Sequence, residues 1–255
     1  MGASGGMLRM IVCDWNGTLF RPALDGTYFI GLCRRAFFRA VWRGDVRKAA
    51  RLTATGVRCF GRYCAAKARP DHAVRHVARV VELLNPDVFS GLRREELAAY
   101  TRRYARAIGP RLDRRLLAPI ARAVARTGIE TAVISAAYHG AIEAALDEAG
   151  QPFDRVLAND FHMDGEATAR FELAVGENKA ELLAGLLAER GLDADEVMYV
   201  GDSPPDETCM RAVGLPVVSF YATRAHKRRF AETCGAFVPA SSEEFERHVL
   251  AAADA

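Results

Sequence analysis

Asp14, Ser135, Lys179, Asp202 and Asp206 are the side chains of this 255-residue sequence whose types and places suit chemistry. Asp14 follows the apolar run Met10-Ile11-Val12-Cys13 and precedes Gly17-Thr18. Such a run, closed by a polar cluster and a glycine, predicts a buried strand ending in a loop. In open α/β sheets, ligands bind at the carboxyl ends of strands. Asp14, Asn16 and Thr18 alternate, so an extended chain would turn all three toward one crevice. Gly17 would let the backbone approach a ligand closely. By itself the stretch reads equally well as a strand followed by an Asx turn. Ser135 closes the run IETAVIS. A hydroxyl and free N–H groups at a following helix start would take an anion, or would simply cap the helix. Lys179 opens a predicted helix, where a cation opposes the dipole. An anion facing it would account for that place; a surface lysine needs no such reason. Asp202 and Asp206 lie just past the run VMYVG. Two carboxylates there suit a hard divalent cation with oxygen ligands, or a capped turn. Pro204 and Pro205 stiffen the loop between them.

All five positions need a strand or helix end to hold them. From Ile129 onward the pattern alternates strand and helix. Strands are predicted at 129–135, 155–159, 197–202 and 215–222. Helices are predicted up to about Ala149, at 178–190, 206–213 and 223–233, and from Ser242. Asp164-Gly165 signals a hairpin, and Phe237–Val238 a short strand. Single helices between strands imply a parallel sheet with right-handed crossovers. Residues 27–128 read as helices, rich in Arg, Ala and Leu, with Gly or Pro at their ends. The expectation is therefore an α/β protein. A Rossmann-like parallel sheet core, 1–20 and 129–255, carries an inserted all-α cap, 21–128.

Charge separates the same two parts. Residues 20–126 hold 24 Lys/Arg against eight Asp/Glu, while the whole chain is only +3. A basic block is thus set into an acidic scaffold. The six cysteines form no CxxC pair, so neither a zinc site nor a disulfide framework is suggested. That usage fits a reducing compartment, and the expected location is cytoplasmic. No apolar run is long enough to span a membrane. MGASGG lacks the basic and apolar regions of a signal peptide.

Taken in order, the motifs resemble those of the haloacid dehalogenase superfamily, in its phosphoserine-phosphatase-like branch with a helical cap. The family's DxDGT is here Asp14-Trp15-Asn16-Gly17-Thr18. Its strand ending in Ser or Thr is here Ser135, its helix-opening Lys is Lys179, and its GDxxxD is Gly201-Asp202 with Asp206. The resemblance implies hydrolysis of a phosphomonoester through an aspartyl-phosphate on Asp14. It implies Mg²⁺ held by Asp14, Asp202, the Asn16 carbonyl and Asp206. It also implies phosphate contacts from Gly17, Thr18, Ser135, Ala136 and Lys179. A dehalogenase is argued against, because those enzymes do not need the GDxxxD pair.

The sequence departs from the pattern at Asn16, where phosphatases of the family carry an acid–base aspartate. An amide neither donates the leaving-group proton nor activates water, and such help is worth ~10²–10⁴-fold. The alternative is a weakened relative that binds a phosphorylated ligand or an anionic surface. His139, four residues past Ser135, is a candidate to replace the missing acid. His72 and His76 are spaced i, i+4 but lack an HExxH pattern or a third ligand, and read as solvated or packed.

The first cap helix carries the substrate signal. At ~100° per residue, Phe29, Cys33, Ala36, Phe37, Ala40 and Val41 should pack inward, with Arg34, Arg35, Arg39 and Arg43 opposite. Phe38 and Trp42 fall among the arginines. Either another helix covers them, with arginine stems alongside, or they meet a membrane interface or a substrate with an anionic and an apolar part. The expected partner is a small phosphorylated substrate, with room for an apolar part. Peripheral contact with anionic membrane through the basic cap is compatible with it. No motif supports specific nucleic-acid binding.

Overall fold

Met10–Cys13 (β1) is buried at every position, which places it at the centre of a sheet covered on both faces. The computed structural model describes residues 7–21, 27–68, 73–151 and 153–255. Further strands are Glu130–Tyr138 (β2), Arg155–Asp164 (β3), Ala167–Glu172 (β4), Val197–Gly201 (β5) and Leu215–Val218 (β6), in the order β4-β3-β2-β1-β5-β6. β1 runs parallel to β2 and β5, and β5 parallel to β6. The chain divides into two units. The first comprises 1–22, 104–158 and 175–255, and the second 23–103 and 159–174.

Alternation along the strands of the first unit feeds two apolar layers. Ile11, Cys13, Val133, Met198, Val200 and Val217 pack on one face. They meet the helices Arg114–Thr127 (α5), His139–Glu148 (α6) and Ser242–Ala253 (α10), through Leu116, Ile120, Ile142, Phe245 and Val249. Met10, Val12, Ala132, Ile134, Tyr199 and Val218 pack on the other. There they meet Lys179–Arg190 (α7), Glu207–Arg211 (α8) and Arg224–Cys234 (α9), through Leu183, Leu187, Met210 and Phe230. Gly191, with φ +60°, ends α7 in the left-handed conformation where glycine pays no steric cost.

Several expectations shift. α5 lies in the sheet unit, although the helical insert was expected to reach 128. Its apolar side packs in that core, and Arg122 and Arg126 pair with Glu246 of α10 and with Asp254 just past its end. β2 runs three residues past Ser135, so the following helix starts only at His139. β3 is twice the predicted length, and β6 stops at Val218. Phe237 forms a single bridge to Val217 rather than a strand. The helix predicted at 206–213 is a 3₁₀ turn, Pro204–Asp206, followed by α8.

The second unit holds Thr27–Trp42 (α1), Val46–Ala68 (α2), Ala73–Leu84 (α3), a π turn at Asn85–Phe89 and most of Arg94–Ile108 (α4). The β3–β4 hairpin belongs to it rather than to the sheet unit, because its bonds go there. Thr168 accepts from Leu92 N at 2.9 Å and its carbonyl from Gly91 N at 2.7 Å, while Asn85 brackets Phe171. Phe29, Phe89, Phe161 and Phe171 form the core, with ring centroids 4.9–5.6 Å apart. α1 is rotated from its expected setting. Tyr28, Leu32 and Ala40 are buried, Val41 is exposed, and Arg35 and Arg39 are half-buried. The i, i+4 row leading from Tyr28 must face inward, since Tyr100 donates to the Tyr28 carbonyl at 3.0 Å. Phe38 and Trp42 are 60% and 93% exposed, so no described helix covers them. His72 lies outside the described residues.

Candidate active site

The parallel register carries three motifs to one edge of the sheet. Cys13 pairs with Val133 on one side and Val200 on the other. Asp14 therefore leaves β1 beside the end of β5, donating its N–H to the Val200 carbonyl at 2.9 Å. The same register sets Ser135 on the neighbouring strand, one step beyond Asp14. Lys179, the first residue of α7, is buried beneath this edge.

Lys179 joins the ends into one cluster. Its Nζ donates to Asp14 Oδ1 and to Asp206 Oδ1, each at 2.7 Å. Asp206 Oδ1 also accepts from the Tyr199 hydroxyl at 3.0 Å. Asp206 Oδ2 accepts from Asp202 N, Ser203 N and Ser203 Oγ at 3.0–3.2 Å. Ser203-Pro204-Pro205-Asp206 is thus a capping box. The capped turn expected of this loop is therefore present, with both oxygens of Asp206 engaged. Tyr199 and Ser203 were not singled out from sequence. The box spacing marks Ser203, whereas Tyr199 reads only as one more buried strand residue.

The loop that carries Asp14 does not stay extended. Thr18 N and Phe20 N both donate to the Trp15 carbonyl, and Gly17 N donates to the Phe20 carbonyl. This tight turn leaves Asn16 exposed and Thr18 buried, so Asp14, Asn16 and Thr18 do not share one face. Nothing among the described residues hydrogen-bonds the Asn16 carbonyl or its side-chain amide. Ser219 Oγ donates to the Gly17 carbonyl at 2.8 Å and fixes the turn from β6. Gly17 has φ +85°, and a Cβ there would lie 2.3 Å from Asp202 Oδ2. His226 Nδ1 lies 3.0 Å from the Asp202 carbonyl. Ser135 is buried, and its hydroxyl accepts from Ala137 N at 3.3 Å inside the extended strand rather than at a helix start. Ala136 beside it is exposed. His139 is paired with Glu143 at 3.1 Å.

Three carboxylates surround one ammonium, and their protonation reflects it. Burial pushes Asp14 up to about 6, against the pull of Lys179. Burial, with Asp14 and Asp206 nearby, pushes Asp202 up to about 8. Burial also opposes ionisation of Asp206, but Lys179 and the loop N–H groups outweigh it and hold that carboxyl below its usual range. Burial works against the Lys179 ammonium too, and Asp14 and Asp206 outweigh it. One oxygen each from Asp14, Asp202 and Asp206 lies within 4.8 Å of the others. Asp202 Oδ1 is buried without a hydrogen-bond partner. A crowded, under-neutralised set of hard oxygen donors fits a divalent cation.

The shifts set a pH dependence. Between the ordinary carboxylate pKa near ~4 and their raised values, Asp14 and Asp202 hold protons that the unfolded chain has released. Stability then falls as pH rises. With divalent ions removed by a chelator, the protein should melt lower at pH 8 than at pH 5. Asp202→Asn should recover most of the loss at pH 8. Thermal melts of both proteins at both pH values check this, and equal melting at pH 8 would contradict it.

A family model described as haloacid dehalogenase-like hydrolase matches residues 11–211. The chain belongs to the haloacid dehalogenase superfamily. Among solved structures, the fold of this superfamily member is similar to that of a Bordetella pertussis Tohama I protein described as of unknown function. Identity is 21% over 91% of this chain and 98% of that one, with a TM-score of 0.63. It is also similar to cytosolic 5′-nucleotidase IIIB bound to cytidine, at 17% identity, 96% and 85% coverage and a TM-score of 0.65. A phospho-aspartyl intermediate analogue of phosphoserine phosphatase gives 18%, 91% and 93%, and 0.54. At these identities the likeness is one of fold. No curated protein matches the chain. No described helix is long and apolar enough to cross a membrane.

Proposed function

We propose that this chain is a Mg²⁺-dependent phosphomonoesterase that works through an aspartyl-phosphate on Asp14. The observation that carries the reading is the bridge from Lys179 to both Asp14 and Asp206. It keeps a carboxylate ionised in a buried place and aims it at the strand edge. Asp14 attacks phosphorus in line, and the ester oxygen leaves. Lys179 and the Ser135 hydroxyl, beside Ala136, meet the non-bridging oxygens, whereas the N–H groups of Gly17 and Thr18, expected to share that part, are spent on the Phe20 and Trp15 carbonyls. Asp14, Asp202 and the free Asn16 carbonyl would hold the cation. Asp206 completes the acidic cluster, and its engaged oxygens make it the anchor of Lys179. When bound, Mg²⁺ supplies the charge that offsets repulsion between a carboxylate and a phosphate dianion.

The substrate proposed is a small phosphorylated metabolite, since phosphoserine phosphatase and nucleotidase folds are similar to this one. The test is hydrolysis of an aryl phosphate with Mg²⁺ and with chelator. Release of inorganic phosphate only with Mg²⁺ supports the reading. Metal-independent release, or none with any good leaving group, overturns it. One observation favours a second reading: Asn16 is exposed and unpaired where the family's acid–base aspartate stands. That reading is a weakened relative that binds a phosphorylated ligand, and the same assay separates the two.

A further inference from the structure

We propose that the α1–α2 hairpin of the helical unit docks on an anionic lipid surface. Residues 27–68 hold ten Lys/Arg and one acid, Asp45. On this basic hairpin Phe38, Trp42, Val46, Val57 and Phe60 are 60%, 93%, 76%, 69% and 68% exposed. They are not scattered singly. On α2, the spacings of Val46, Thr53, Val57 and Phe60 (seven, four and three) place them along one helix side, and all four are exposed. At the tip, Arg43, Gly44 and Asp45 make the turn, with Gly44 at φ +69°. Trp42 and Val46 flank that turn, so the apolar sides of both helices meet at its end.

Charge chooses the occupant. Arg34, Arg43, Arg47 and Arg58 are exposed beside the apolar residues. A second copy of the chain would bring these arginines against their equals. An anionic bilayer supplies phosphates for the arginines and an apolar interior for the rings, and tryptophan favours that boundary. A cleft of about 240 Å³ beside the tip is lined by Arg35, Arg39, Arg43 and Lys48 with Asp45 and Asp87, among others, and Asp87 is paired with Arg51 at 3.4 Å. Arg39 pairs with Glu96 at 2.9 Å. No carboxylate pairs with the Arg43 or Lys48 side chains among the described residues, and Arg35 Nε is buried without a partner. A lipid phosphate would satisfy these groups. The docking surface lies in the helical unit and involves no part of the Asp14 chemistry.

The chain carries its own reporter. Of its two tryptophans, Trp15 is 3% exposed and Trp42 93%, so a change in emission on docking reads Trp42. The experiment mixes the whole 255-residue chain at low salt with vesicles of phosphatidylcholine alone, or of phosphatidylcholine and phosphatidylglycerol in equal parts. Sedimentation and tryptophan emission are recorded. The expected result is sedimentation and a blue shift with the mixed vesicles and neither with the neutral ones. Phe38→Ser with Trp42→Ser should weaken sedimentation roughly tenfold or more, as should Arg43→Glu with Arg47→Glu. Asp14→Asn should dock unchanged, which keeps this result separate from the catalytic reading. No sedimentation at low salt overturns the proposal. Sedimentation without a blue shift overturns it as well, since charge alone then suffices. So does a dimer that already buries Trp42 in the absence of vesicles.

Discussion

Asp14→Asn should abolish turnover while the protein stays folded. An amide keeps the shape of the side chain but is no nucleophile, so the first chemical step is lost. Removal of a nucleophile leaves at best a small remainder from binding and electrostatics, and the drop should reach at least about 10⁴-fold. That corresponds to roughly 5 kcal/mol or more of barrier. The fold should tolerate the change, because Lys179 keeps Asp206 at 2.7 Å. Asp202, meanwhile, loses a like charge that helps to raise it. Initial rates with an aryl phosphate, acid-stable capture of labelled phosphate and a thermal melt together test this. Both turnover and capture should vanish with no fall in melting temperature. Full activity in the variant would sink the mechanism.

Asn16→Asp should raise the rate on alkyl phosphates more than on aryl phosphates. A carboxylic acid there would donate a proton to the leaving oxygen and then accept one from the attacking water. The usual value of such help is ~10²–10⁴-fold, or about 3–5 kcal/mol. Position 16 is exposed and its side chain makes no hydrogen bond, so a nearly isosteric carboxyl enters without displacing a partner. The opposing effect is repulsion from Asp14 and Asp202. Solvent at an exposed position screens it, so the acid–base gain should win. The measurement is a comparison of alkyl and aryl esters for both proteins at matched Mg²⁺. An alkyl rate that does not rise, with metal binding intact, would mean that another group already serves as the acid. His139, whose Nε2 lies 3.1 Å from Glu143, or a residue of the helical unit would then be the suspect.

What was legible in the sequence was the order and the strand-end setting of the motifs. A run such as Met10–Cys13 can only be central strand when every position is apolar. The parallel register then carries Asp14, Ser135 and Asp202 to one edge without further information. The turn at Trp15–Phe20 was not legible, because alternation along a chain indicates a shared face only if the chain stays extended. Lys179 in isolation reads as a surface lysine. Its burial is a collective result of three carboxylates assembled from distant segments. The hairpin after Asp160 reads as sheet by its local pattern, and only Asn85 and the Gly91-Leu92 backbone draw it into the helical unit. The helical wheel separated Phe38 and Trp42 from the core of α1. Whether anything lay over them depended on the placement of other helices, which spacing does not encode.

Gly17 gives two loops a shared tolerance. The space a side chain at 17 would need is occupied by the carboxylate of Asp202, from the loop that follows β5. Neither loop can drift, lengthen or accept a bulkier residue alone without displacing the other's working group. Homologous exchange or redesign of this site therefore has to treat 14–18 and 201–206 as a single cassette. A graft of either loop by itself into a relative whose other loop differs should fail.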